Sequence, residues 1–368
     1  MSTKKDKFSL KDKNFMRLAL NLARARKGLT GANPSVGCVI VKNDQILSIG
    51  QTNINGRPHA EYNAIKNSNQ NLKGSKMYVT LEPCNHYGKT PPCTNLIIKS
   101  GIRELYYSIN DIDTKVKGKS FKILSKKKIK TYKGLLKEET KILYESYFKN
   151  RIHKLPYVTG KIAISKNKLI YCKDVKRITD LVSDKFTHFL RFKNDAIMIS
   201  SKTLNIDNPK LDCRLRGYEK FSPTRIILDR DLKIKSNSYI FKTSKKNNTI
   251  IFHNSSNRIK MMILKKKGVH LIRSRLNKIK KFNLNTILKK LYTLGIRNLL
   301  VEGGDELTKN FLKNKLFDKF ILFRSPKNLS KKIKHSIFTS LSILNNQYNR
   351  KPQITSKLAK DRITIYKR

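Results

Sequence analysis

HAEYNAIKN, from His59 to Asn67, and TLEPCNHYGKTPPC, from Thr80 to Cys93, hold a histidine, a glutamate two residues later and two cysteines with NHYGKTPP between them. Packing a core does not require that set. A histidine at the start of a helix and two cysteines on a strand-to-helix loop can supply three ligands to a catalytic zinc and leave a fourth position for water. The flanking pattern agrees. KMYVTLEP reads as a strand, CTNLIIKSG as a helix, IRELYYSI as a strand, and another helix begins near His59. Helices alternating with strands in this way describe a layered α/β domain.

Working outward, apolar residues recur at helical spacing from Phe15 through Leu18 and Leu22 to Ala25, and Gly28 is placed to end that helix. SVGCVIVKNDQILSIG reads as a hairpin turning at Asn43-Asp44. Residues 111–150 are lysine-rich and end in a predicted helix, KEETKILYESYFKN. A new strand follows Pro156, which sets the expected domain boundary near residue 150, with domains 1–150 and 151–368. The second part alternates again. DAIMIS, TRIILD, NTIIFH and NLLVEGG read as strands, with helical patterns at 179–192 and 283–294. No internal repeat is visible.

A chain of 368 residues with 38% hydrophobic content is long enough for two domains, each with its own core. No apolar run has the length of a membrane span, and five cysteines do not suggest a disulfide framework, so a cytoplasmic protein is expected. The formal net charge of +56 raises a nucleic-acid reading. The lysines, however, are scattered through every segment, and Asn and Ile are abundant beside them. That joint bias is what AT-rich codons produce, so no specific nucleic-acid partner is expected, only weak, salt-sensitive adhesion.

His59, Cys84 and Cys93 are the expected zinc ligands. Glu61 is the expected proton carrier, close to the metal without binding it. His-x-Glu followed by Pro-Cys and a second cysteine is the signature of zinc deaminases, although the cysteine spacing here is longer than the C-x₂-C of nucleobase deaminases. In the second half, Gly303-Gly304 after the strand NLLV, with a helix following, suits the approach of a nucleotide phosphate.

These motifs carry a resemblance. NPSVGCVIV, GRPHAEYNAI and TLEPCNHYGKTPPC resemble the deaminase half of the bifunctional riboflavin-biosynthesis deaminase/reductase. LPYVTGKIAIS, FLRFKNDAIMISSKTLNIDNPKLDCR and LLVEGG resemble its reductase half. The resemblance implies a cytidine-deaminase-like three-layer α/β/α domain followed by a dihydrofolate-reductase-like α/β domain. It implies hydrolytic deamination of a diaminopyrimidinone bearing a ribosylamino 5′-phosphate, then NADPH-dependent reduction of the ribosyl group to ribityl, in a homo-oligomer. By that resemblance Asn33, His86 and Lys89 would contact the deaminase substrate. Ala163, Thr203, Asp207 and Gly304 would contact NADPH, and Arg191, Leu211, Arg214 and Glu302 the reductase substrate. The arginines suit phosphate because the guanidinium fork matches its oxygens.

The chain departs from the family pattern at several places. Thr52 stands where a histidine is often found, and Ser165-Lys166-Asn167-Lys168 where Ser-x-Asp-Gly is usual. Arg177 replaces an aromatic, Asp207-Asn208-Pro209 replaces Asp-Asp-Pro, and a glycine expected after Pro326 is missing. Two rival readings are a deaminase whose second domain is only a scaffold and a basic nucleic-acid-binding protein or tRNA deaminase.

Overall fold

The computed structural model describes residues 7–88, 90–175, 177–235, 237–348 and 353–367. The chain divides into two compact units, one running to Lys154 and the other beginning at Leu155.

In the first unit, helix α1 (Leu10–Arg26) starts at Ser9. The Ser9 hydroxyl accepts the Asp12 N–H and the Asp12 carboxylate accepts the Ser9 N–H, a capping box. Lys27 closes the helix, and Gly28 at φ 86° leads the chain away. Strands β1 (Gly37–Lys42) and β2 (Gln45–Gln51) pair antiparallel. Asn43 and Asp44 between them lie at φ 49° and 61°, the turn sense that matches strand twist. Next come α2 (Ala60–Lys66), β3 (Lys76–Leu81), α3 (Cys93–Lys99), β4 (Glu104–Ile109), α4 (Lys119–Lys126), β5 (Lys130–Lys133) and α5 (Lys137–His153). The sheet order is β2-β1-β3-β4-β5, with β3, β4 and β5 parallel. Two helices lie directly on the hairpin. A methyl added to Gly37 would meet the Ala19 carbonyl oxygen at 1.9 Å, and one on Gly50 would meet that of Ala60 at 2.2 Å. The second of these contacts seats α2, and with it His59 and Glu61, against β2.

The second unit opens with β6 (Tyr157–Ile164), β7 (Leu169–Cys172), α6 (Leu181–Phe192), β8 (Ala196–Ser200) and α7 (Ser201–Asp207). It continues through β9 (Thr224–Leu228), α8 (Tyr239–Lys242), β10 (Thr249–His253), α9 (Arg258–Lys266), β11 (Val269–Arg273) and α10 (Leu284–Thr293). Then follow β12 (Asn298–Val301), α11 (Asp305–Lys313), β13 (Lys319–Arg324), β14 (His335–Ile337), α12 (Leu341–Gln347), β15 (Ile354–Leu358) and β16 (Asp361–Lys367). Nine strands form one sheet in the order β11-β10-β9-β8-β12-β6-β13-β16-β15. The pairings from β11 to β13 are all parallel, and β16 and β15 add antiparallel. Both faces are covered: Ile226 and Leu228 belong to one core and Ile227, between them, to the other. Such strands read as continuous apolar runs, which is why TRIIL and AIMIS were visible in the sequence.

The altered loop Ser165–Lys168 still closes a turn between β6 and β7. Lys168 takes φ 64°, the Ser165 hydroxyl accepts the Leu169 N–H at 2.9 Å, and it donates to Asn167 Oδ1 at 2.7 Å.

Candidate active sites

His59 is the residue before α2, with extended backbone and no hydrogen bond from its ring to the helix end. The imidazole is therefore free for another partner. Cys84 follows the end of β3, and Cys93 is the first residue of α3. His59 Nδ1 lies 3.6 Å from Cys84 Sγ and 3.4 Å from Cys93 Sγ, and the three ligand atoms all fall within 4.8 Å of one another. Tetrahedral zinc, with bonds of about 2.0–2.1 Å to nitrogen and about 2.3 Å to sulfur, holds N and S roughly 3.6 Å apart. The donor set fits zinc. The Cys93 N–H donates to Cys84 Sγ at 3.3 Å, and the Cys93 thiol, the His59 ring and this N–H together bring the Cys84 thiol down to about 4, despite burial. A thiolate is the form a metal requires.

Glu61, in the first turn of α2, is 4% exposed. Burial raises its carboxyl to about 6, with His59 opposing. The preceding loop is pinned from both sides. The Asn33 amide donates to Gly56 O at 3.1 Å, and Thr52 Oγ1 accepts the Val36 N–H at 2.9 Å, so Thr52 serves the backbone of the β1 entry. On the insert between the cysteines, His86 Nδ1 is buried without a partner. Lys89 lies outside the described residues. Glu82 was not singled out in the sequence. Its buried carboxylate accepts the Gly118 and Ser120 N–H groups at 3.0 and 3.2 Å, and the Ser120 hydroxyl donates to Pro83 O at 2.6 Å. Those bonds hold the strand end that carries Cys84. The signal was a lone acidic residue at the end of an apolar strand.

The second unit holds a cavity of about 1440 Å³ at the carboxyl ends of β8, β9 and β12 and along β6. In open parallel sheets this is where ligands bind. Its lining brings together Ala163, Thr203, Asp207, Glu302, Gly303 and Gly304. A methyl added at Gly304 would stand 3.5 Å from Thr203 Oγ1, which places the two side by side. Gly304 also precedes α11, whose first N–H groups are free of any side-chain cap. Arg177 lines the same cavity and pairs with Asp184 at 3.6 Å.

Arg191, Leu211 and Arg214 are not among the residues lining it. Arg191 instead grips Glu302 with two parallel hydrogen bonds, Nε to Oε1 at 2.9 Å and Nη2 to Oε2 at 3.0 Å, in a pair about nine-tenths buried. Burial alone would raise Glu302, but Arg191 and then Lys161 outweigh it and hold the carboxyl at about 2. The Arg191 Nη1 also donates to Asp212 O at 3.2 Å. Leu211 has a buried side chain and φ 56°, turning the chain so that Asp212–Arg214 run beside α6. Arg214 is exposed and, among the described residues, is tied to Asp212 alone among carboxylates. Among the cavity residues that the sequence reading did not single out, one is charged and lies on β6. Lys161 of β6 lines the cavity, its ammonium 5.2 Å from the Phe323 ring centre, and burial lowers its pKa.

Comparisons with known proteins follow the same division. Residues 9–109 match the cytidine and deoxycytidylate deaminase zinc-binding region, and residues 160–360 match the RibD C-terminal domain. The chain is 35% identical over 97% of its length to the riboflavin biosynthesis protein RibD of Aquifex aeolicus, covering 98% of that protein. The chain belongs to the RibD family. RibD form 1 from Acinetobacter baumannii superposes with a TM-score of 0.82 at 26% identity, covering 97% of this chain and 98% of that one. A solved structure from Thermotoga maritima superposes with a TM-score of 0.81 at 29% identity and the same coverage. It is described as a diaminohydroxyphosphoribosylaminopyrimidine deaminase/5-amino-6-(5-phosphoribosylamino)uracil reductase. As a RibD-family member the chain is an enzyme of riboflavin biosynthesis with a zinc-dependent deaminase domain and an NADPH-using reductase domain.

Proposed function

We propose that the chain deaminates a diaminopyrimidinone bearing a ribosylamino 5′-phosphate in residues 1–150, and reduces the ribosyl group of that product to ribityl in residues 151–368. The observation that carries this reading is the grouping of His59, Cys84 and Cys93 at coordinating separations with Glu61 buried beside them.

His59, Cys84 and Cys93 would hold zinc, which when bound supplies the Lewis acidity that makes a water nucleophilic near neutral pH. Water adds at the ring carbon bearing the amino group, a C–O bond forms, the C–N bond breaks and ammonia leaves. Glu61 accepts the proton of the water and delivers it to the departing nitrogen. Asn33 would hydrogen-bond the pyrimidine, and His86 and Lys89 would face its ring or the ribose phosphate.

In the second unit, NADPH when bound supplies the hydride. Thr203, Asp207, Ala163 and the Gly303-Gly304 turn would orient it, with the α11 N-terminus favouring its phosphates. Reduction adds hydride to the anomeric carbon, breaks its bond to the ring oxygen and requires a proton for that oxygen. Lys161, which lines the cavity, would donate that proton. Arg191 then serves by fixing Glu302, and Arg214, whose guanidinium pairs with Asp212, would take the substrate phosphate; Leu211 would contribute backbone only.

A cytoplasmic setting is supported by five free cysteines, and no helix among the described residues is long and apolar enough to cross a membrane. Homo-oligomerisation is supported by Ile46 and Ile49, apolar and exposed on the edge strand β2. The test is incubation of the purified chain with the diamino compound, followed by mass spectrometry. Without NADPH only the deaminated compound should form, and with NADPH the ribityl compound should follow. Recovery of unchanged substrate from zinc-loaded, folded protein would overturn the reading.

A further inference from the structure

Arg57 lies half-buried two residues before His59. Its Nη1 donates to Thr90 Oγ1 at 2.5 Å, and a methyl built on Gly88 would stand 3.4 Å from its Nη2. The guanidinium therefore rests against the insert between the two cysteines. On its other side, the neighbouring Gly56 carbonyl accepts the Asn33 amide. Arg57 thus stands between the loop of Asn33 and the insert that carries His86.

Two features of this corner ask for a ligand. Among the described residues, no carboxylate lies within ion-pair distance of Arg57, and its side-chain hydrogen bond goes to a neutral hydroxyl. A guanidinium has five N–H donors, and the Thr90 bond engages one. On the adjoining insert, His86 Nδ1 is buried with no partner. The planar fork of the Arg57 guanidinium matches the oxygens of a phosphate better than any neutral group.

We propose that Arg57 binds the 5′-phosphate of the deaminase substrate and sets the preference of this site for the phosphorylated ribosylamino-pyrimidine over its dephosphorylated counterpart. The proposal rests on the substrate reading above, and it adds a specificity residue to that site. Arg57 also straps the insert through Thr90, and the test must separate that positioning role from phosphate binding.

The experiment measures kcat/KM for deamination by the zinc-loaded full chain, using the diaminopyrimidinone ribosylamine with and without its 5′-phosphate. The ratio of the two values is the readout. Arg57→Gln should lower that ratio about tenfold or more, mainly through KM, as loss of a charged hydrogen bond implies. Arg57→Lys, which keeps the charge without the fork, should recover part of it. Thr90→Val removes the strap and keeps the cation, and should leave the ratio within about twofold. Equal loss on both compounds in Arg57→Gln and Arg57→Lys would make Arg57 a strap only and overturn the proposal. Absence of any phosphate preference in the wild type would also overturn it, with the deaminase reading intact. If the wild type deaminates neither compound, the substrate reading falls and the proposal falls with it.

Discussion

Glu61→Gln keeps the size of the side chain and its capacity to hydrogen-bond, but it cannot carry a proton. On the proposed role, deamination should fall by roughly 10²–10⁴ while zinc content, measured by elemental analysis, stays at one per chain. Cys84→Ser should lose both metal and deamination, because a hydroxyl does not replace a thiolate on zinc. Loss of zinc from Glu61→Gln would reassign that residue as a ligand. In the second unit, the folded-state pKa of Glu302, about 2, lies below its ordinary 4.5. As pH falls the unfolded chain therefore takes up the proton first, so the stability from this group is present above about pH 4.5 and is lost progressively down to about pH 2. Denaturant unfolding followed across that window should show a larger loss in the wild type than in Glu302→Gln, in which the other carboxylates with lowered pKa still titrate. That variant should be weaker at neutral pH by about 3–5 kcal/mol, since Arg191 is left buried without its counter-charge. Single residues differed in how far they could be read from the chain. The grouping of His59, Cys84 and Cys93 was visible because ligand chemistry restricts residue types and spacing. Lys161 was not, since one lysine in a chain with 81 Lys and Arg says nothing until β6 is seen between β12 and β13.

At the scale of elements, most strands in the middle of each sheet were legible as apolar runs, and the edge strand β2 was legible from its hairpin; β13, KFILFR, was not read as a strand although it lies between β6 and β16. Two further edge strands also escaped. β5, KTYK, is an edge strand with exposed and half-buried residues only, and β15, ITSKL, is exposed for four of its five residues. Neither carries a pattern that distinguishes it from the surrounding lysine-rich loops. Helix α7 was also missed, because it starts directly from the end of β8 with Ser200 as its cap, whose hydroxyl accepts the Thr203 N–H. That junction matters, since it delivers Thr203 and Asp207 to the cavity. The contact between β2 and α2 makes a sharper prediction. In Gly50→Ala the new methyl would lie 2.2 Å from Ala60 O and 2.4 Å from Ala64 N, so α2 must shift. The substitution should destabilise the first unit by about 1–3 kcal/mol or more and weaken zinc binding, although no ligand is touched. Thermal unfolding and chelator competition check the two effects. An unchanged zinc affinity in a destabilised protein would show that α2 does not need this seat to present His59.

For the whole molecule, the Lys and Arg residues behind the net charge of +56 are scattered through every segment of the sequence. The family comparisons place a deaminase region before a reductase region along one chain. The central claim is that each chemistry belongs to its own site and that the first makes the substrate of the second. The most direct test uses Glu61→Gln and follows NADPH oxidation with either the diamino compound or its deaminated product. With the diamino compound, NADPH oxidation should slow by the same roughly 10²–10⁴ as deamination, and with the deaminated product it should run at the wild-type rate. Oxidation at an undiminished rate with the diamino compound, or failure on the deaminated product by this folded, zinc-loaded variant, would contradict this division of labour.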